Sequence, residues 1–335
     1  MTAAVLQRPP LLRRVRKARE LPVVAVLIAV VAITSLVNPN FVTPQGVRDT
    51  LLAVSFIALM AVGQTFVILM RHVDLSVGSV VGLSSYAAAI AVQQVPGPPL
   101  VILLLAGAAL GLMVGLVNGA LVAWLRLPAL VVTLGTLYVV QGVQALIVGP
   151  RRVNASELPE VVVRLGIDSF LGVPYLMWAA IVAAVIATWV LRSTAFGRDL
   201  YAMGSNPAAA DLVGIPVLRR TISAFVVSGV CAGMAGALVL SRFAGTDANA
   251  GRGLELSVVA ACVIGGVFIF GGSGSAIGAL IGALLLKVLT LSLIALAIPA
   301  FWQEAMVGLL LISAITIDRI SVVRVERRRR LEAQR

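Results

Sequence analysis

Residues 99–125 read PLVILLLAGAALGLMVGLVNGALVAWL, twenty-seven positions without a charged side chain. About 20 apolar residues in a helix cross the hydrocarbon of a bilayer, so this run is read as a membrane span. Within it Gly107, Gly111, Gly115 and Gly119 recur every fourth residue, one stripe along which a second backbone can approach closely. Nine further runs share its apolar character: 22–37, 50–70, 75–93, 127–148, 174–191, 220–241, 256–270, 275–298 and 301–317. Two shorter ladders, Gly229 with Gly233 and Gly274 with Gly278 and Gly282, argue for the same close packing elsewhere. The expectation is an all-α polytopic membrane protein of about ten transmembrane helices, with residues 1–335 as one transmembrane domain.

The whole chain agrees with that stretch. Its 335 residues are 60% hydrophobic and 12% charged, a balance that no water-soluble domain of this length can hide from solvent. The formal charge of +12 does not point to nucleic acid, because the basic residues concentrate in segments 1–21 and 319–335 rather than on a folded face. With the N-terminus placed inside, nineteen Lys and Arg fall in inner segments and six in outer ones, and Lys287 is left within a span. That asymmetry predicts an inner cell-membrane protein with both termini cytoplasmic. Arg8, Arg13, Arg14, Arg16, Lys17 and Arg19 precede the first run, but no small-residue cleavage pattern follows before Asn38, so the run reads as an uncleaved helix. Two cysteines, Cys231 and Cys262, and one histidine, His72, all close to or within apolar runs, leave no disulfide framework and no metal site.

Arg71-x-x-Asp74-Leu75-Ser76-Val77 is echoed by Arg252-x-x-Glu255-Leu256-Ser257-Val258, five spans later. An odd offset turns one copy upside down, as in inverted-repeat transporters. Between the sixth and seventh spans, loop 192–219 contains a short helix with complete punctuation: Asn206 to cap, Pro207 at the first position, Ala208, Ala209, Ala210, Asp211 and Leu212, then Gly214 and Pro216 to stop. A stiff helix held between two spans can act as a lever.

Several motifs together resemble the permease subunits of ribose-type ATP-binding-cassette (ABC) sugar importers, over nearly the whole chain. They are Val73-Asp74-Leu75-Ser76-Val77-Gly78-Ser79, Asn118-Gly119 with Leu127-Pro128-Ala129, and Thr133-Leu134-Gly135-Thr136. Phe196-Gly197-Arg198 through Asn206-Pro207-Ala208-Ala209-Ala210 to Gly214-Ile215, and Ala260–Gly266 with Gly271–Ser275, complete the set. Gln64–Leu69 and Val122–Leu125 are similar to the rhamnose and furanosyl-autoinducer branch. The resemblance implies an ABC importer permease fold and an assembly of two permeases, homo- or heterodimeric, with an ABC ATPase and a periplasmic substrate-binding protein. It also implies that Asn206–Leu212 couples to the ATPase, with Arg198 and Arg219 flanking.

The chain has no Gly-x-x-x-x-Gly-Lys-Ser/Thr and only two lysines, Lys17 and Lys287, so ATP would be bound by the partner and this chain is expected to be neither enzyme nor cofactor carrier. Polar residues inside spans are the candidates for lining a path: Gln64, Thr65, Asn118, Thr133, Thr136, Gln141 and Gln144. Amides and hydroxyls suit a monosaccharide or small polyol, and hydrogen bonding between helices is their alternative use. In the helix-turn motif Asp74, Ser76 and Gly78, the first two are read as helix caps, and every Asp and Glu is read as lying at or beyond a span end. Outer loop 149–173, with Arg151, Arg152, Glu157, Glu160, Arg164 and Asp168, is a candidate docking face for the binding protein. The competing readings are a branched-chain amino-acid permease of the same superfamily, an ion-coupled secondary transporter, and an intramembrane enzyme, for which no constellation of reactive residues is visible.

Overall fold

The computed structural model describes residues 20–299, 301–303, 305–310, 312–313 and 315–316. Apart from residues 20 and 21, the basic segments 1–21 and 319–335 lie outside the described residues. The chain is helical almost throughout: α1 (Glu20–Val37), α2 (Pro44–Leu69), α3 (Val77–Gln94), α4 (Pro99–Ala123), α5 (Ala129–Val148), α6 (Glu160–Leu165), α7 (Tyr175–Ser193), α8 (Ala195–Ser205), α9 (Pro207–Leu212), α10 (Val217–Phe243), α11 (Leu254–Ile264) and α12 (Ala276–Ala295). Helical residues at 301–303, 305–310, 312–313 and 315–316 follow. Each of the ten hydrophobic runs therefore contains a helix. By length and composition α2, α4, α5, α7, α10 and α12 are the six described helices able to cross a membrane, while α1 and α11 are shorter apolar helices.

Helix ends follow local chemistry. Thr43 caps α2 by accepting from the Gly46 amide at 3.2 Å with Pro44 at the first position, and Ser275 caps α12 through the Gly278 amide at 2.9 Å. Run 256–270 was expected to be one span, but its helix stops at Ile264. Gly266, Gly271 and Gly272 take φ of 83°, 81° and 74°, conformations that only glycine adopts readily, so this segment turns instead of continuing.

At the centre lies α2, buried along nearly its whole length among α7, α10, α11 and α12. A helix apolar on every face suits either lipid or a protein interior, and α2 takes the interior. The longest glycine ladder meets the Gly229–Gly233 pair: Gly107, Gly111, Gly115 and Gly119 face Gly233, Gly229, Phe225 and Ile222 on the antiparallel α10. A Cβ at Gly115 would sit 2.5 Å from the Phe225 carbonyl oxygen, closer than a carbon can stand. The remaining ladder packs on α11, where Gly278 and Gly282 abut Gly265 and Ala261.

The repeat read from the sequence has a structural counterpart. α10 runs antiparallel to α2, with Gly63 beside Cys231 and Phe56 beside Phe243. Each long helix is followed by a turn that enters the bundle and by a helix that starts inside it. The two starts touch, since a Cβ at Gly78 would meet the Gly251 carbonyl at 2.9 Å and the Glu255 carboxylate. Loop 149–173 is ordered by a 3-10 turn at Ala155–Glu157, by α6 and by a two-residue hairpin pairing Ser169–Phe170 with Val173–Pro174. It is tied to the next loop by the Val153–Thr246 bridge.

Candidate functional site

Two features meet at one end of the bundle: an exposed helical arch and, beneath it, a buried polar node. The arch fills loop 192–219 with two helices where one was expected. α7 runs on to Ser193, and Thr194 at once caps a second helix, α8, by accepting from the Gly197 amide at 3.2 Å. The Thr194-x-x-Gly197 spacing was the available signal for α8. Asn206 then caps α9 through the Ala209 amide at 3.1 Å, with Pro207 at its first position. Gly214, at φ 76°, closes it, and the Gly214 and Ile215 amides return to the Asp211 and Ala210 carbonyls.

Of α9 only Ala210 is buried; Pro207, Ala208, Ala209, Asp211 and Leu212 face outward. Arg198 and Arg219 are exposed on either side. The cation that the sequence did not single out is Arg220, which pairs with Asp199 at 2.7 Å and lies over the Phe196 ring. The arch is pinned to the bundle on three sides. Tyr201 donates to the Gly274 carbonyl at 2.8 Å, Arg71 donates to the carbonyls of Gly204 and Ser205, and Asp199 accepts from Arg220 of α10. Burial pushes the Tyr201 phenol above its usual range against the opposing pull of Arg192, which keeps it a donor. Between α9 and the α4–α5 turn opens a cleft of about 1010 Å³, with His72, Arg126, Asp211 and Arg219 among its lining residues.

The polar node is built on residues 73–76. Asp74 Oδ1 accepts from the Ser76 amide at 3.0 Å and hydroxyl at 2.6 Å, and Oδ2 accepts from the Ser228 hydroxyl at 3.0 Å. Ser76 therefore serves the node and makes no side-chain cap to α3, contrary to the capping expectation. Nor does Asp74 lie at a span end. Ser228 is near the middle of α10, and Asp74 is 1% exposed, so the carboxylate sits deep in the bundle. Glu255 is likewise drawn in against Gly78, with Oε2 buried and unpartnered. Two helix-breaking turns, invisible as such in the hydropathy, carry both acids inward.

Four of the seven candidate path residues, Gln64, Asn118, Thr133 and Thr136, gather around this node. The Asn118 amide donates to the Ser76 hydroxyl at 2.9 Å, and its oxygen accepts from Thr136 at 2.6 Å. Thr133 donates to the Val73 carbonyl at 3.2 Å. Gln144, two turns further along α5, donates to the carbonyls of Asp247 and Ala250. Gln64 accepts from Ser228 at 3.4 Å and its amide nitrogen is buried without a partner, whereas Thr65 turns back to the Ala61 carbonyl. Gln64, Thr65, Asn118, Thr133 and Gln144 are all enclosed, and Gln141 and Thr136 are half-buried on α5. Thr133 and Gln144 thus fasten α5 to both entering turns and Thr136 fastens it to α4, while its opposite face, including Tyr138, Val139 and Leu146, is open. The sequence search passed over Ser228, although a hydroxyl in an apolar run is the same signal that marked the others.

This geometry makes a prediction. Asn118→Ala leaves the Ser76 and Thr136 hydroxyls short of a partner, and an unmade buried hydrogen bond costs about 1–3 kcal/mol. Unfolding in mixed micelles is expected to show that loss for Asn118→Ala and none for Gln141→Ala. Equal stability of the two variants would contradict the bonding described here.

Comparison with known proteins gives a consistent set. The model of a family described as branched-chain amino acid transport system / permease component matches residues 46–315. The autoinducer 2 import system permease protein LsrC of Salmonella typhimurium is 34% identical over 308 residues, covering 92% of this chain and 88% of its own length. LsrC of an Enterobacter species is 35% identical over 302 residues, with 90% and 87% covered. The L-arabinose ABC transporter permease protein AraH of Azospirillum brasilense is 38% identical over 297 residues, with 88% and 86% covered. No solved structure matches.

Proposed function

Since this chain belongs to the branched-chain amino acid transport system / permease component family, we propose that it forms the translocation path of an ABC importer for a monosaccharide or related small polyol. The relatives named for autoinducer 2 and L-arabinose favour a hydroxylated, uncharged cargo over a branched-chain amino acid, whatever the family's title. Around the Asp74 carboxylate the node's other side chains are amides and hydroxyls, chemistry that exchanges readily with sugar hydroxyls. The Asp74 carboxylate is engaged by two serines and is assigned a holding role, not ion carriage.

The observation that carries the reading is the exposed α9, presented on an arch pinned to three parts of the bundle. A separate ATPase subunit docks there, and its closure moves the arch; Arg198 and Arg219 flank the contact. By this reading α9, the termini and the 1010 Å³ cleft face the cytoplasm, and loop 149–173 faces a periplasmic binding protein. A second permease copy covers the open face of α5.

The test is reconstitution. Proteoliposomes holding this chain, its ATPase and its sugar-binding protein are expected to accumulate sugar only with ATP inside, and the chain alone to hydrolyse no ATP above background. Accumulation driven by an ion gradient without the ATPase would overturn the proposal.

A further inference from the structure

Arg71 holds a backbone conformation that arginine rarely adopts. The His72 amide closes onto the Val67 carbonyl at 3.2 Å and the Arg71 amide onto Ile68 at 2.9 Å, so α2 ends in a Schellman turn with Arg71, at φ 68°, in its left-handed position. Glycine usually fills that position, because a Cβ there crowds the backbone. An arginine held there points to a side chain whose contacts over-determine the backbone.

Those contacts are specific. Nε donates to the Gly204 carbonyl at 2.6 Å and Nη2 to the Ser205 carbonyl at 3.0 Å. Both are last-turn carbonyls of α8, which lack intrahelical partners and carry the negative end of the helix dipole. The guanidinium is thus the C-terminal cap of α8, supplied by a different element, and α9 begins two residues beyond Ser205. The planar fork of arginine reaches two neighbouring carbonyls at once, which a lysine ammonium cannot hold with the same fixed geometry. Little slack remains around it: a Cβ at Gly271 would sit 2.5 Å from Arg71 Cγ. On its other side, Arg71 is separated from Asp74 by only two residues, one of which, Val73, accepts the Thr133 bond from α5.

We propose that Arg71 is the positioning residue that makes the α8–α9 arch and the buried node one mechanical unit, so that displacement of α9 reaches α5 through residues 71–76. This rests on the importer reading above. The segment is short, and the bonds at both of its ends are hydrogen bonds with defined partners. A push on α8 therefore shifts Val73, Asp74 and Ser76 together, and with them Thr133, Asn118 and Thr136.

The experiment uses the complete complex with its ATPase and binding protein in proteoliposomes, reading subunit stoichiometry, ATP hydrolysis and uptake together. Arg71→Gly suits the backbone and removes the guanidinium. It is expected to assemble normally and hydrolyse ATP, to lose stimulation by the loaded binding protein, and to transport about tenfold less sugar per ATP. Arg71→Lys is expected to fall between. Wild-type transport per ATP in Arg71→Gly would overturn the proposal, as would uptake and hydrolysis falling in equal proportion. Should Arg71→Gly fail to assemble, Arg71→Lys carries the test: lowered transport per ATP supports the role, and wild-type behaviour overturns it. No ATP-dependent uptake by the unaltered complex would sink the importer reading instead.

Discussion

Gly111→Leu is expected to leave almost no folded protein in the membrane. A Cβ at Gly111 would lie 2.7 Å from the Gly229 carbonyl carbon and 3.1 Å from Gly233 Cα. These are backbone atoms of α10 that cannot rotate away, so α4 must lift off. Lifting it opens the seam from Gly107 to Gly119 and withdraws Asn118 from Ser76. The penalty exceeds the roughly 1–3 kcal/mol of ordinary overpacking, because in lipid this contact holds chiefly by backbone approach. The control is Gly135→Leu on α5, where nothing lies within 4 Å of the added Cβ. Size-exclusion profiles of the detergent-extracted chain measure the difference, and equal recovery of the two variants would refute the α4–α10 crossing.

Leu212→Glu combined with Val213→Glu should do the opposite: leave the bundle intact and abolish its partnership. Leu212 and Val213 are 88% and 76% exposed at the end of α9, so the substitutions remove little from the fold. Large apolar side chains held outward on a rigid support are what an interface hot spot requires, and losing one costs about 2 kcal/mol, near 30-fold in Kd. Titrated co-purification of the ATPase should show that drop with an unchanged unfolding profile of the permease alone. Unaltered affinity would move the docking surface away from α9.

The sequence disclosed most where the signal was local. Hydropathy placed a helix in each of the ten apolar runs, although α2 begins at Pro44 rather than 50 and α11 ends at Ile264 rather than 270, because lipid demands apolar length without marking where a helix ends. Asn206, Pro207 and Gly214 located α9, because caps act within one turn. The glycine ladders announced close packing without saying on what. Only the fold revealed that Gly107–Gly119 meets Gly229 and Gly233, two of the ladders thus being halves of one contact.

Misreadings arose where the backbone leaves its local trend. Asp74 and Glu255 looked like residues at span ends, and both lie within the bundle because the turns that bear them re-enter it. The helix expected to fill 256–270 ends at Ile264, where glycines permit positive φ. Ser76, expected to cap, is instead occupied by the Asp74 carboxylate, to which its hydroxyl donates, and by the Asn118 amide. Arg71 was quoted only as the start of a repeat and Ser228 was passed over, because the worth of each depends on a residue more than 130 positions away.

By itself, then, the chain's order of residues determined its solvent, its helices and the rod between the sixth and seventh spans, all of which follow from interactions reaching a turn or two along the backbone. The tertiary structure alone decided which polar groups meet, that α5 hangs on two inward turns, and that an arginine at the end of α2 caps a helix of the arch. Hydrogen bonds between distant segments depend on ångström-scale placement, and no periodicity in one dimension encodes that.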